Sequence, residues 1–148
     1  LRPAKGYVRV TRLWKKGDRV ELRLAMPVER IEARPEVRED CRLVALQRGP
    51  VVYCVEEIDN GPELADLSLP DSARFRLRFN AELGAPMLVT RGRRRDSAGW
   101  QDMLYRPLRS ACKAVTLTAV PYSLWNNRGE GEMRVWIHEL NDLVRLPR

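Results

Sequence analysis

Short stretches in which apolar and polar residues alternate constrain the fold of this sequence more than any other feature. Within Arg74–Phe79, arginine occupies every second position and Phe75, Leu77 and Phe79 occupy the others. A period of two places the apolar side chains on one face of a β-strand. Glycine and proline interrupt the chain at short intervals, and no long segment has the 3.6-residue period and the end caps of a helix. The pattern therefore predicts an all-β chain.

The alternation predicts about nine strands, and Leu64–Leu69 is too short to assign. The strands are Tyr7–Trp14, Arg19–Met26, Val28–Ala33, Arg42–Gln47, Val51–Glu56, Arg74–Phe79, Met87–Thr90, Lys113–Val120 and Met133–Ile137. The first two flank a turn at Lys15–Asp18 and are expected to pair as an antiparallel hairpin. Val51–Glu56 is apolar on both faces, which is typical of a central strand. Together these features favour an antiparallel β-sandwich of the jelly-roll type.

Length and hydropathy favour one folded domain outside the membrane. The chain has 148 residues, of which 44% are hydrophobic, so a core can form. No apolar run approaches the roughly 20 residues that a membrane-spanning helix needs. The chain begins at Leu1 without an initiator methionine, and we expect it to be a piece of a longer protein.

The net charge of +7 raises the question of nucleic-acid binding, but its distribution disfavours that function. The positive charges come from 23 arginines and 4 lysines, and these residues are spread along the chain. The dense run Arg91–Arg95 lies in a segment that contains Gly92 and Ser97, so we expect a solvated, mobile loop there. The alternative is that this run and the row Arg74, Arg76 and Arg78 bind a polyanion.

The cysteines indicate a reducing compartment. Cys41, Cys54 and Cys112 are odd in number and have no CxxC spacing, which disfavours a disulfide framework. Cys54 lies within an apolar run, where a thiol behaves as a small hydrophobic group. We expect a cytoplasmic location.

The residue types that carry most enzyme chemistry are sparse. His138 is the only histidine, and neither a Gly-x-Ser-x-Gly elbow nor a glycine-rich phosphate loop is present. The cysteines are too dispersed to form a zinc site with one histidine. Glu56 and Glu57 point to opposite faces of a strand and cannot act as a glycosidase pair with each other. We therefore predict no catalytic residue, no metal ligand and no cofactor in this chain.

Two blocks of sequence combine turn residues with large aromatic side chains. The residues we single out in them as structural or docking groups are Arg48, Gly49, Pro50, Tyr53, Glu56, Pro121, Tyr122, Trp125, Asn127, Arg128, Met133 and Trp136. Gly49-Pro50 predicts a bend between two strands, where Arg48 could hold carbonyls or a carboxylate. Trp100, Tyr122 and Trp125 could stack on sugar rings, although aromatic residues also fill cores.

These blocks, together with Gly6-Tyr7, Arg12-x-Trp14 and Gly17-Asp18, resemble the C-terminal β-sandwich region of glycoside hydrolase family 127. This is the family of β-L-arabinofuranosidases. The resemblance is strongest over residues 6–60 and 114–137. It implies a catalytic N-terminal (α/α) barrel elsewhere in the parent chain, with a zinc-bound cysteine nucleophile there. Glu39-Asp40-Cys41 matches the family's Glu-x-Cys element by spacing alone, so no catalytic or metal residue is carried over.

The resemblance also implies that residues 1–57 end a middle sandwich and that residues 62–148 form the C-terminal domain, with the break at Asp59–Pro62. We nevertheless expect residues 1–148 to form one β-sandwich unit, because neither half alone buries a generous core.

Three functions from different classes follow. The first is a non-catalytic accessory domain of a β-L-arabinofuranosidase-like hydrolase, which packs on the N-terminal barrel and could also support a homodimer. The second is a carbohydrate-binding module, and the third is a polyanion-binding domain.

Overall fold

In the computed structural model, residues 5–100, 102–107 and 112–140 are described, and they are almost entirely β-structure. The nine strands are β1 (Val28–Ile31), β2 (Leu43–Arg48), β3 (Val51–Glu56), β4 (Leu67–Pro70), β5 (Arg76–Asn80), β6 (Ala85–Arg95), β7 (Cys112–Pro121), β8 (Met133–Arg134) and β9 (Ile137–Leu140). One helical turn, α1 (Glu57–Asn60), follows β3, and short 3-10 turns cover Arg38–Asp40, Leu64–Asp66 and Tyr122–Leu124. Over these residues, no helix has the length and hydrophobicity to cross a membrane.

Six of the strands close into a barrel. Around the barrel the order is β2, β9, β4, β6, β7 and β3, and β3 pairs again with β2. Neighbouring strands are antiparallel except β4 and β9, which run parallel with Ser68 opposite His138. The prediction of an open antiparallel sandwich of the jelly-roll type is therefore wrong. Alternation is the same in a sandwich and a barrel, and closure depends on β4 and β9, neither of which the sequence pattern defines.

The barrel interior holds the main core, which is built from one face of each strand. Its buried residues are Val44, Leu46, Tyr53, Val55, Leu64, Leu67, Leu69, Leu88, Leu117, Ala119 and Ile137. Burying a large aliphatic side chain contributes about 1.5–3 kcal/mol relative to exposure, so this cluster is the main stabilising element of the fold.

A second, smaller core lies on the outer face of β3, β6 and β7. Cys54, Met87 and Val120 form it, and Leu83 and Met133 pack against it. Strand β3 is therefore covered on both faces, as its two-sided apolar sequence predicts. It also pairs with β2, β7 and β8, which confirms that it is a central strand.

The N-terminal segment differs from its prediction. The turn is present, because Asp18 N donates to Lys15 O at 3.1 Å and Gly17 adopts a φ of 95°. The flanking residues 8–27, however, form no strand, and their apolar side chains are largely exposed. A two-stranded ribbon is marginal in water without a surface to cover its apolar face, and the described chain offers it none.

Strands β5 and β6 differ from expectation as well. Residues Arg91–Arg95 belong to the long strand β6, so the prediction of a loop there is wrong. β5 pairs with the first half of β6 and lies off the closed barrel. Consequently Leu77 and Phe79, expected to face inward, are 51% and 69% exposed, whereas Phe75 packs against the core.

Candidate functional site: a buried ionic clamp beneath an aromatic loop

The two sequence blocks meet at the end of β3. Glu56 is the last residue of this strand and is buried because both faces of β3 are covered. The helical turn α1 then reverses the chain and returns Asp59 toward Glu56. Two carboxylates that the sequence separates by three positions thus come to lie around one cation.

That cation is Arg128, whose side chain is only 7% exposed. Its Nη2 donates to Glu56 Oε2 at 2.7 Å, and its Nη1 donates to Asp59 Oδ1 at 3.0 Å. Nη2 also donates to Asp59 Oδ2. The hydrogen bonds that Arg128 donates to Asp59 foremost, and then to Glu56, raise its pKa in spite of its burial. We call Glu56, Asp59 and Arg128 the ionic clamp.

The clamp fixes the loop that carries the exposed aromatic residues. Asn126 N donates to Glu56 Oε1 at 2.8 Å, and Asn126 adopts a left-handed φ of 62°. Asparagine tolerates this conformation better than most residues. The prediction singles out Asn127, which is exposed, whereas the preceding residue, Asn126, makes the contact with Glu56. Sequence reasoning also missed Asp59, although the turn-forming residues around it signal a reversal of the chain.

Asn60 ties the clamp to the barrel. Its Nδ2 donates to Glu56 O and to Thr118 O, both at 2.8 Å, and its Oδ1 accepts from Thr118 N at 2.9 Å. One side chain thus satisfies three backbone groups of β3 and β7. The sequence predicts that Asn60 lies in a break between domains, and nothing in the local pattern indicates this bridging role.

A second set of contacts fastens the far end of the loop. Glu57 N donates to Glu132 O and Glu132 N donates to Glu57 Oε2, both at 2.9 Å. Glu132 Oε2 also accepts from Leu64 N at 2.8 Å. A Cβ on Gly131 would lie 3.2 Å from Glu57 Cβ, so the close approach favours glycine there.

The Arg48-Gly49-Pro50 bend lies between β2 and β3, as predicted. Gly49 has a φ of 55°, and a Cβ there would lie 2.8 Å from Met26 Cε. The expected partner of Arg48 does not occur in the described chain, where its buried Nε makes no hydrogen bond.

The remaining motif residues are structural in position. Tyr53 is buried in the barrel, pairs with Pro121 across β3 and β7, and donates its hydroxyl to Pro86 O at 3.1 Å. Met133 pairs with Glu56 and packs on the outer core. Trp136 is half-buried.

Of the three candidate stacking residues, two lie on the clamped loop. Tyr122 and Trp125 are 45% and 39% exposed at the 3-10 turn that follows β7. Trp100 lies in a different segment and is half-buried. The guanidinium carbon of Arg106 lies 4.0 Å from its ring centroid and covers one face.

Cys41, Cys54 and Cys112 are all free. Cys41 and Cys112 are exposed, whereas burial raises the pKa of Cys54 to about 12. Within residues 5–100, 102–107 and 112–140, no cluster of three His, Cys, Asp or Glu side chains could hold a metal ion. His138 is exposed on β9.

The arrangement suits a structural role better than acid–base chemistry. Most glycosidases use two carboxyl groups that flank the scissile bond. Glu56 and Asp59 instead share one buried guanidinium, and Glu56 also accepts a backbone hydrogen bond.

Comparison with known proteins decides the family. Residues 28–138 match the model of the glycoside hydrolase family 127 C-terminal domain. The chain belongs to this family. The resemblance that the sequence motifs indicate is therefore confirmed, and this domain supplies the C-terminal part of longer family 127 proteins.

Among curated proteins, a non-reducing end β-L-arabinofuranosidase from Bifidobacterium longum subsp. longum is 39% identical over 129 residues, which are 81% of this chain and 20% of that protein. Among solved structures, a family 127 β-L-arabinofuranosidase from Geobacillus stearothermophilus T6 is 49% identical with a TM-score of 0.74, over 78% of this chain and 18% of the other. A structure described as a glycoside hydrolase is 36% identical with a TM-score of 0.68, over 77% and 19% of the two chains. The family 127 chain thus spans about a fifth of the length of these relatives.

Proposed function

We propose that this family 127 chain is a non-catalytic accessory domain of a β-L-arabinofuranosidase-like hydrolase, and that it packs on an N-terminal catalytic (α/α) barrel of the same polypeptide. The ionic clamp is the observation that carries this proposal. The acids of the clamp are bound to Arg128 beneath a loop, so neither can protonate a leaving group or attack a sugar. Any zinc of the parent enzyme would then belong to the barrel.

Exposed apolar side chains support the docking part of the proposal. They include Tyr7, Leu13, Leu22, Leu24, Leu77 and Phe79. Exposed apolar patches on soluble proteins commonly mark interaction sites. The relatives are about five times as long as the matched region, which provides sequence for a further domain to cover these residues.

Hydrolysis tests the absence of catalysis. The chain should release no p-nitrophenol from p-nitrophenyl β-L-arabinofuranoside above the buffer rate. Glu56→Gln serves as the matched control. Release by the wild-type chain would overturn the proposal whether or not it persists in this variant, and its loss in a folded Glu56→Gln chain would make a clamp acid catalytic.

Sedimentation tests the docking surface. The chain should self-associate weakly through its exposed apolar residues, and Leu77→Ser/Phe79→Ser should reduce this, whereas Val52→Ser, at another exposed apolar position, should not. A discrete dimer abolished by the double substitution would instead assign this surface to a second copy.

Sugar binding by the clamped loop is the second candidate, and the exposure of Tyr122 and Trp125 favours it. Arabino-oligosaccharides should then quench tryptophan fluorescence, and Trp125→Ala should remove the quench while Trp14→Phe preserves it. An unchanged emission spectrum in the wild-type chain would eliminate this function.

We also propose that the protein acts in the cytoplasm. The three unpaired cysteines support this, because thiols stay reduced there.

A further inference from the structure

The structure brings together two arginine rows that are distant in sequence. Register across β5, β6 and β7 places Arg76 opposite Val89, Arg91 opposite Thr116 and Arg93 opposite Ala114. Residues 89, 91 and 93 lie on one face of β6 because they alternate along the strand.

These residues line a groove of about 670 Å³ beside the connection between β4 and β5. Arg74 belongs to it too, and its backbone is held there because Thr90 Oγ1 donates to Arg74 O at 2.8 Å. A groove of this size matches a small-molecule site, which typically measures ~300–1,000 Å³.

The groove is cationic and unneutralised. Four arginines line it, namely Arg74, Arg76, Arg91 and Arg93, and its described lining includes no aspartate or glutamate. Within the described parts of the chain, none of the four side chains makes a hydrogen bond or ion pair. By contrast, Arg94 on the opposite face of β6 donates to Pro62 O, Glu63 O and Asn60 O.

Converging like charges with low-dielectric walls focus a positive potential, which attracts anions. Guanidinium groups bind planar carboxylates through two parallel hydrogen bonds. Arg91 and Arg93 are separated by about 7 Å along the strand, so one extended ligand can place successive carboxylates on both. The described lining contains no aromatic residue, which disfavours a single-stranded nucleic acid because such strands stack on aromatic side chains.

We propose that this groove binds an acidic oligosaccharide, a short chain of uronic acid residues, through its carboxylates. The choice of a saccharide rests on the proposed function, whereas the requirement for an anion rests on the arginines alone. The site would hold an acidic glycan next to the hydrolase without taking part in bond cleavage.

Calorimetric titration of the 148-residue chain with a galacturonic acid trimer at low salt tests the proposal. We expect binding that weakens as salt is added, no binding of the fully methyl-esterified trimer, and at least a tenfold loss of affinity in Arg91→Gln/Arg93→Gln, because hydrogen bonds to charged groups contribute about 1.5–3 kcal/mol each. The control Arg19→Gln/Arg38→Gln removes the same charge from exposed positions outside the groove and should bind like the wild type. Circular dichroism confirms that each variant is folded. If Arg91→Gln/Arg93→Gln is not folded, Arg91→Lys/Arg93→Lys, which retains the charge, provides a second comparison.

Three results would overturn the inference. Absence of trimer binding refutes the site. An equal loss of affinity in Arg91→Gln/Arg93→Gln and in the control Arg19→Gln/Arg38→Gln would mean that net charge alone attracts the trimer. Binding of tripolyphosphate but not of the trimer makes the groove a phosphate site. None of these results bears on the hydrolysis or sedimentation tests, so failure here leaves the accessory role standing.

Discussion

Replacing Arg128 with methionine should destabilise the domain more than any other single change in the aromatic loop. The substitution removes three hydrogen bonds from a side chain that is 7% exposed and leaves Glu56 and Asp59 without their shared cation. Breaking a buried ion pair from one side costs about 3–5 kcal/mol, because the remaining charge stays desolvated. For a chain of this length, unfolding entropy near 0.3 kcal/mol/K makes 3 kcal/mol equivalent to about 10 °C in Tm.

Calorimetry and urea unfolding measure this loss, with Arg38→Met as the exposed control, which should change stability by less than about 0.5 kcal/mol. The triple variant Glu56→Gln/Asp59→Asn/Arg128→Met removes all charges and should recover part of the loss. If Arg128→Met costs no more than Arg38→Met, or if the triple variant is no more stable than Arg128→Met, the clamp is not the stabilising element that we describe.

Three further changes probe other parts of the structure. Burial raises the pKa of the Cys54 thiol to about 12, against 9.0 for a free thiol. The unfolded chain therefore loses the thiol proton at a lower pH than the folded chain, so stability should fall by about 1.4 kcal/mol per pH unit between these two values. Urea unfolding at several pH values should show this slope, and Cys54→Ala should lack it. Gly92→Ala should cost about 1–3 kcal/mol in urea unfolding, because the new Cβ would lie 3.1 Å from Leu117 Cβ, and a cost below 0.5 kcal/mol would show that this contact relaxes freely. Asn60→Ala leaves Thr118 N and O unpaired and should cost about 2 kcal/mol or more, with faster amide exchange at Thr118; unchanged exchange would contradict the bridge.

The sequence predicts strands well wherever both the pattern and the burial are strong. Val51–Glu56 has the predicted bounds, and β7 lies within one residue of its prediction at each end. The sequence pattern does not reveal β6 as one continuous strand, because the outward face of the strand carries arginines and its inward face is interrupted by Gly92. Barrel closure could not be predicted, since it depends on pairing between short segments far apart in the chain.

The candidate site could be predicted in part. Separate motifs predict Glu56 and Arg128 as structural or docking residues, and the structure joins them directly. Their pairing is a tertiary contact without a local signal. Asn126 acts through its backbone, which side-chain chemistry does not reveal.

The parallel pairing of β4 with β9 has a consequence for biosynthesis. β9 is the last of the described strands to leave the ribosome, and it fills the gap between β2 and β4. Until then both neighbours present open hydrogen-bonding edges, which other nascent chains can capture. A stop codon before Ile137 should therefore give inclusion bodies, even though it removes no residue of the ionic clamp or of the arginine groove.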